Sequence, residues 1–392
     1  MADIKEYLGG SQRTLNEINI SVVIDRIRRG DNVSRSSLSR ELKLSLPSIS
    51  RIVRKLINKN YVIEVGLGNS SGGKKPTIIR FNRERSYVIG IGFDINFIDV
   101  TLSDLSGNEK KNIYKKFLKD KSPKDMIKTI VKYIYKIIEE AKVENDKVEV
   151  VSLGIPAMVE SETGLIRMCP TMPSWEGINL SKVLSEKINK EVLVDNEANM
   201  SLLGERWKGG AQDIDNVIFI GVGTGIGAGI LINEKIFRGS NGSAGEIGHM
   251  FIDRNLNRSI SQPYGQFEYL ASNTALGRKA TEIDSSSEDK KDMKDRAKDN
   301  SKKNLILKVL DNFAFGIANL IAVLNPELVV IRGELFYDSD YFFDYFKDKV
   351  NSITPFKTRI VKSSLKERAV TYGAVKLGIK HIDKKILSPF FY

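Results

Sequence analysis

Residues 87–107, YVIGIGFDINFIDVTLSDLSG, contain two apolar runs on either side of the turn Asp94-Ile95-Asn96. Two such runs joined by a short turn predict a β-hairpin. Residues 217–233, VIFIGVGTGIGAGILIN, repeat the arrangement around the turn GTGIG. Each hairpin is followed by apolar runs that alternate with amphipathic helical segments, and this alternation is typical of α/β folds. The sequence therefore predicts a duplicated α/β body with a cleft between its halves.

The second hairpin has a glycine at every second position from Gly221 to Gly229. This spacing never forms GxGxxG, and a strand rather than a helix follows it, so it does not predict a dinucleotide-binding turn. Backbone amides in a turn without side chains can closely approach an anion or the edge of a sugar. The alternative interpretation is a glycine-rich hairpin that binds nothing.

The basic residues of the chain are concentrated before this body. Of the net charge of +12, residues 1–86 carry +9, from 17 Lys and Arg against 8 Asp and Glu. Residues 87–392 hold 44 basic and 41 acidic residues, or +3. Because a general cationic surface would spread the excess, this concentration indicates a nucleic-acid-binding head on a nearly neutral body.

The head has the pattern of three helices. Apolar residues at helical spacing predict a first helix over residues 14–29. A second is predicted over residues 36–42 with Ser34 as its cap, and a third begins at Ser45. Pro47 lies in the first turn of the third helix, where a missing amide hydrogen is harmless. Helix, short turn and helix in this order are typical of helix-turn-helix DNA readers.

The third helix is predicted to be amphipathic, with an apolar face of Leu46, Ile49, Val53 and Leu56. The opposite face is polar and basic and can meet bases and phosphates in a major groove, with Arg51 and Ser48 as expected base contacts. A solvated surface is the alternative for any basic amphipathic helix. The candidate DNA contacts are Arg35, Ser45, Pro47, Ser48, Arg51, Arg54, Lys55, Lys74 and Lys75.

A second feature of the head shifts the balance towards DNA binding. The strand-like runs YVIEVG and PTIIRF flank the loop LGNSSGGKK, which predicts a β-wing after the third helix. Gly72 and Gly73 allow close backbone approach to DNA, and Lys74 and Lys75 can reach phosphates or the narrow minor groove. Three helices with a basic wing form a specific combination.

With these motifs, residues 13–83 resemble the DNA-binding head of the ROK family of repressors and sugar kinases. The matching segments are RTLNEINISVVIDRIRRG, SRSSLSRELKLSLPSISRIVRKLINKNYVIE and GNSSGGKKPTIIRFN. The resemblance implies an α/β actin- and hexokinase-like (ribonuclease H-like) duplicated body behind an N-terminal winged helix-turn-helix domain. The expected domains are residues 1–83 for DNA binding, 84–200 for the first α/β lobe, and 201–392 for the second lobe with a dimerisation surface.

The same resemblance shows departures from the kinases of the family. Residues 94–99 stand where the kinases carry the phosphate loop DIGGTK, and they keep only its first acid. Phe97 and Asp99 are expected beside the phosphates, where they remove room and favourable charge. Arg332-Gly333-Glu334 replaces a GG turn at the nucleotide, and Glu197 replaces the general-base aspartate. We therefore expect no catalytic residues, no cofactor and no phosphoryl transfer.

The sugar-binding positions of the family are better preserved. Taken alone, any one of these carboxylates reads as a surface charge or a helix cap, and only their shared register with the family motifs implies a site. The run Gly154-Ile155-Pro156 and Trp175, in PSWEGINL, are expected as further lining of the cleft, with Trp175 on a sugar face. The implied sugar contacts are Asn196, Glu197, Glu246, His249 and Glu268.

Other features limit the function classes. Residues 259–266 stand where the family has a cysteine-rich zinc motif and retain no cysteine, so with His249 as the one remaining ligand type no metal is expected. Cys169 is the sole cysteine, which excludes an intrachain disulfide. The N-terminus lacks a signal core and no run reaches about 20 apolar residues, so no membrane association and a cytoplasmic location are expected. The charged residues 281–304 are expected to be solvated and receive no function.

The sequence thus predicts a sugar-responsive repressor of carbohydrate-utilisation genes that binds its sugar without phosphorylating it. The expected partners are operator DNA, a monosaccharide effector and a second copy of the chain in a homodimer or higher homo-oligomer. Family analogy suggests xylose or glucose. The alternatives are an ATP-dependent sugar kinase with a DNA-binding head and a DNA-binding dimer that takes no ligand.

Overall fold

The N-terminal part of the protein consists of three helices and a small antiparallel sheet in the order β1-β3-β2. The structure is a computed structural model that describes residues 12–30, 32–68, 75–93, 97–116, 122–254, 265–277 and 300–387. The elements of this part are α1 (Gln12–Arg29), β1 (Val33–Ser34), α2 (Arg35–Leu42), α3 (Leu46–Asn58), β2 (Val62–Leu67) and β3 (Thr77–Phe81).

The helix boundaries follow from local capping. Ser34 Oγ accepts a hydrogen bond from the Ser37 amide at 3.0 Å, and Ser37 Oγ accepts one from the Ser34 amide, which forms a capping box at the start of α2. Ser45 caps α3, and Pro47 lies in its first turn. The three helices and the hairpin expected from the sequence are therefore present.

The core of this part contains one face of each helix, with Ile27, Leu38 and Val53 fully buried. One predicted core residue is wrong: Leu46 is 47% exposed, and Ile52 is buried instead. The first two residues of α3, Leu46 and Pro47, are exposed, and burial begins at Ile49.

The body contains two five-stranded sheets with the same topology. In each sheet an antiparallel hairpin continues into a third antiparallel strand on one side and pairs with two parallel strands on the other. The duplicated hairpins predicted from the sequence are thus confirmed as β4/β5 and β11/β12. The first sheet has the order β10-β7-β4-β5-β6, with β4 (Tyr87–Phe93), β5 (Phe97–Asp104), β6 (Glu109–Lys116), β7 (Val148–Ile155) and β10 (Glu191–Asn196). The second has the order β13-β12-β11-β14-β15, with β11 (Val217–Val222), β12 (Ile226–Ile232), β13 (Lys235–Ile236), β14 (Leu328–Arg332) and β15 (Arg359–Lys362).

Helices cover both sheets and fill the space between them. The remaining elements are α4 (Pro123–Glu140), β8 (Met158–Glu160), β9 (Leu165–Met168), α5 (Leu180–Ile188), α6 (Glu197–Lys208), α7 (Gln266–Ala271), α8 (Asn300–Leu324), α9 (Glu334–Asp338), α10 (Asp340–Ile353) and α11 (Arg368–Leu387). Helix α4 packs on the first sheet, and α8 packs with α10 in the core of the second. Helices α6 and α11 pack on each other in the middle of the body. Helix α11 contacts β4 and β7 of the first sheet, and α6 contacts β11 and β12 of the second. The predicted lobe boundary after residue 200 lies inside α6.

Most of helix α8 is apolar. Among the described residues, Lys303–Leu324 is the one helical segment long and apolar enough to cross a membrane, so the expectation that no segment would reach that length was wrong. One side of this helix lies inside the protein, with Phe313, Ala314 and Ile317 fully buried in the core of the second sheet, and 56% of the apolar window is buried. This is the environment of a core helix.

Candidate functional site

A cleft of ≈340 Å³ lies between the two halves of the body. Its walls come from the β11/β12 turn, the start of α6, the segments around residues 156–158 and 245–249, and the residues that follow β14. The structure brings all of the predicted sugar contacts to this cleft: Asn196, Glu197, Glu246, His249 and Glu268. Their role in binding a sugar remains a prediction.

Asn196 has a structural task as well as a place in the cleft. Its Oδ1 accepts hydrogen bonds from the amides of Ala198 at 2.8 Å and Asn199 at 3.4 Å, so it caps α6. Its Nδ2 donates to the carbonyl of Ala157 at 2.9 Å. A side-chain amide has two N–H donors, so Asn196 can offer a ligand one donor while the rest of the group holds the start of α6.

Glu197, the first residue of α6, forms an ion pair with Arg332 at the end of β14. Parallel pairing of β14 with β11 places Arg332 opposite Gly221. A Cβ atom on Gly221 would lie 3.1 Å from the guanidinium, so this glycine leaves space for it. The ion pair joins the two halves of the body across the cleft.

The charge of Arg332 is maintained by its partner. Burial disfavours the charged guanidinium, but the charge and hydrogen bond of Glu197 outweigh this and raise the pKa of Arg332. Arg332 therefore stays a cation, and Glu197 Oε1 is occupied by it. A general base must lie within hydrogen-bond reach of the hydroxyl that it deprotonates, and at Oε1 the arginine takes that place.

Sequence reasoning missed this contact. It treated Arg332 only as part of a damaged turn, although an arginine directly after the buried run VVI indicates a cation at the end of a strand. A cation at the carboxyl end of a buried parallel strand faces the crevice where ligands bind in α/β proteins.

Glu246 and Glu268 lie on the opposite wall. Burial raises the pKa of both carboxyl groups, and for Glu268 the charge of Glu246 adds to this effect, although a hydrogen bond from the Ile226 amide at 3.1 Å opposes it. Both groups therefore take up a proton more readily than exposed glutamates, and the protonated form of a carboxyl group can donate a hydrogen bond. His249 is exposed at the edge of the cleft. Such a set suits a ligand with several hydroxyls.

Two expectations about the cleft walls are wrong. Phe97 lines the cleft as predicted, but Asp99 does not: its carboxylate accepts hydrogen bonds from Thr371 of α11 and Asn112 of β6, both at 2.6 Å. Helix α11 covers Asp99 and separates it from the cleft. Trp175 is 1% exposed, and its ring centroid lies 5.5 Å from that of Phe93 in the core of the first sheet, so it does not present a face to a sugar.

Several predicted features lie wholly or mostly outside the described residues. These are the turn at residues 94–96, Gly72 and Gly73 of the wing loop, the segment at 259–266 that replaces the zinc motif, and the charged segment at 281–304. Across the part of the chain that the structure describes, no group of three or more His, Cys, Asp and Glu has the arrangement of a metal site.

Most of the candidate DNA contacts that the structure describes are exposed. Ser45, Pro47, Arg51, Arg54 and Lys55 are exposed on α3, and Lys75 is exposed just before β3. Ser48 is half-buried, as is Arg35, whose guanidinium forms a 2.8 Å ion pair with Glu64. Lys74 lies outside the described residues.

The model of the ROK family matches residues 88–381. The chain belongs to the ROK family. Among its ROK relatives, the xylose repressor of Caldicellulosiruptor bescii is 29% identical over 94% of this chain and 97% of the relative. The glucokinase of Thermotoga maritima is 27% identical over 74% of this chain and 96% of the relative. A solved ROK family transcriptional regulator, described as a homologue of the E. coli MLC protein, superposes with a TM-score of 0.78 over 96% of this chain and 98% of its own, at 21% identity. This last likeness concerns the fold.

Proposed function

We propose that this protein is a sugar-responsive transcriptional repressor whose kinase-like cleft binds a monosaccharide without phosphorylating it. The observation that carries the proposal is the Arg332–Glu197 ion pair. It engages Oε1 of the carboxylate that stands in the general-base position, while the other residues of the candidate sugar site line the cleft. A receptor for a polyol needs hydrogen-bond partners for each buried hydroxyl, but it needs no free base.

In this proposal residues 1–83 form a winged helix-turn-helix domain with α3 as the recognition helix. The exposed Arg51 and Arg54 support this role, since they project from the helix on the side away from its core. Two such heads in a homodimer or higher homo-oligomer would contact half-sites separated by about 34 Å or a multiple of it. Residues 84–200 and 201–392 then form the two lobes of the receptor, with a dimerisation surface on the second.

The relatives support the same function. A protein named xylose repressor matches nearly the whole chain, whereas a glucokinase leaves about a quarter of it unmatched. We therefore propose operator DNA and a monosaccharide as partners, with xylose and glucose as the first sugars to test, and a cytoplasmic site of action.

The test combines ligand binding and turnover. The chain is incubated with a panel of pentoses and hexoses, and its melting temperature is followed. A sugar present at 100 times its dissociation constant adds about 2.7 kcal/mol of stability, so the true effector stands out. Flat melting curves for every sugar would instead favour a DNA-binding dimer without a ligand.

The same samples with Mg-ATP are assayed for ADP. The proposal expects no release above the protein-free control. Turnover near 1 per second, which is at the low end of ordinary enzymes, would identify a sugar kinase and reject the proposal.

A further inference from the structure

Helix α11 contacts both the sugar cleft's supporting helix and the DNA-binding head. Its first half packs along α6, the helix that begins with Glu197 in the cleft. Its second half packs against α1 of the head. Ile379, Ile382 and Ile386 of α11 belong to the same buried cluster as the apolar side chains of α1, α2 and α3. One rigid element therefore reaches from the cleft to the head.

The contact between α6 and α11 is backbone against backbone. A Cβ atom on Gly204 would lie 2.1 Å from the carbonyl oxygen of Ala369, and one on Gly373 would lie 1.7 Å from that of Met200. No side-chain layer lies between the helices at these points to absorb a displacement. Because packed interfaces of this kind shift as units rather than deform, a movement of α6 is passed to α11.

A buried carboxylate of α6 also holds the turn that leads into α11. Glu205 of α6 is fully buried and accepts hydrogen bonds from Ser363 Oγ at 2.5 Å and the Leu365 amide at 3.1 Å. These residues form the turn that leads into α11. The start of α11 is thus fixed to α6 at both levels, by packing and by hydrogen bonds.

The far end of α11 is joined to the head by an ion pair. Arg28 of α1 donates two hydrogen bonds to the Asp383 carboxylate, at 2.5 and 3.0 Å, and its side chain is only 11% exposed. A second ion pair, between Arg85 and Glu149 of β7, lies beside the connection from head to body and does not involve α11. Substitutions in the two pairs can therefore compare a contact between the head and α11 with a contact between the head and the body that does not involve α11.

From these contacts we infer that α11 transmits sugar occupancy of the cleft to the head, with the Arg28–Asp383 pair as the coupling contact. This inference rests on the proposed function. Sugar bound at Glu197 shifts α6, α6 carries α11, and Asp383 carries α1 and so the placing of the recognition helix. The pair contributes to coupling rather than to either binding site, since neither of its residues lines the cleft or belongs to α3.

The experiment compares Asp383→Ala with the matched control Glu149→Ala in the full chain. A DNA duplex is first selected by the wild-type chain from a random-sequence pool. Its dissociation constant is then measured by fluorescence anisotropy with and without saturating D-xylose, and sugar affinity is measured by calorimetry. Arg28 keeps Asp25 as a neighbour at 3.5 Å, so the Asp383 variant leaves no isolated buried charge.

The inference expects a 5- to 150-fold effect of sugar on DNA affinity in the wild type, typical of allosteric coupling, and the same in Glu149→Ala. In Asp383→Ala the ratio falls to within about threefold of unity, with sugar affinity unchanged. An unchanged ratio in Asp383→Ala overturns the inference and leaves the proposed function intact. A wild-type ratio of one despite sugar binding overturns the proposed function itself.

A second measurement tests the inference on the wild-type chain alone, so it does not depend on whether Asp383→Ala folds. Amide hydrogen exchange of the wild-type chain is compared with and without D-xylose. Altered protection is expected in the second half of α11 and in α1 as well as at the cleft. Changes confined to the cleft residues would contradict transmission through α11.

Discussion

Replacing Arg332 with Met is predicted to destabilise the protein by about 2–4 kcal/mol. Removing one partner of a fully buried ion pair costs about 3–5 kcal/mol, because the other charge is left without compensation. The side chains of Arg332 and Glu197 are 17% and 15% exposed. Water in the cleft can therefore solvate part of the remaining carboxylate, which reduces the cost below the fully buried limit.

The thermodynamic cycle with Glu197→Gln isolates the interaction. This second substitution is expected to cost less than the loss of the arginine, since the amide oxygen of the new side chain still accepts a hydrogen bond from the guanidinium. In the double variant neither charge remains, so its cost is expected to fall short of the sum of the single costs by about 1–3 kcal/mol. Arg359→Met is the control, since Arg359 is exposed and makes one 3.5 Å bond to the Gly210 carbonyl.

Melting temperatures of the wild type, the two single variants, the double variant and the control at pH 7 provide the readout. For a unit of 150–250 residues, 1 kcal/mol corresponds to about 2–4 °C, so Arg332→Met should melt roughly 5–15 °C below the wild type. The control should stay within about 0.5 kcal/mol of wild type, as surface substitutions do. Strict additivity of the two single variants, or an Arg332 variant as stable as the control, would refute the reasoning.

Three further outcomes follow from the structure. Arg51→Ala is expected to weaken binding to the selected DNA by about 1–3 kcal/mol and to relax the base preference. Lys75→Ala is expected to lower the slope of log K for DNA binding against log salt concentration by about 1. Equal effects of the two substitutions in a salt titration would contradict these roles. Burial raises the pKa of Glu246 and Glu268, so the ionised form of each carboxyl group destabilises the fold. This cost begins above the unfolded pKa of about 4.3, grows until the folded pKa is reached and persists at higher pH. Glu246→Gln or Glu268→Gln should therefore raise the melting temperature at pH 7.5 but not at pH 4, while weakening sugar binding; an equal shift at both pH values would argue against it. Trp175→Phe should lower stability and leave sugar affinity unchanged in calorimetry, because this side chain packs in the core; a loss of affinity would place it at the sugar after all.

Local sequence signals predicted the elements of the fold well. The apolar runs on either side of the turns at 94–96 and 223–225 were sufficient to identify both hairpins, and Ser34 and Ser45 marked the starts of α2 and α3. These features depend on neighbours in the chain. The equivalence of the two sheets follows from their hairpins and was also within reach.

Contacts between distant segments were not within reach. Asp99 was expected near phosphates because residues 94–99 stand where the family's kinases carry their phosphate loop, but Thr371 of α11, 272 residues later, covers it. Arg332 meets Glu197 only because β14 pairs with β11 and α6 starts beside that pair. No local pattern encodes such juxtapositions, and the sugar contacts were placed together only through their resemblance to family motifs.

A combined assay of DNA binding and ATP turnover distinguishes a sugar receptor from a sugar kinase. The full chain is mixed with its selected DNA, Mg-ATP and increasing D-xylose or D-glucose, and DNA binding and ADP release are followed in the same sample. For a sugar-responsive repressor, one sugar changes DNA affinity at least about fivefold while ADP release stays at the protein-free rate. Steady ADP formation that depends on the sugar, with DNA affinity unaffected, would contradict it.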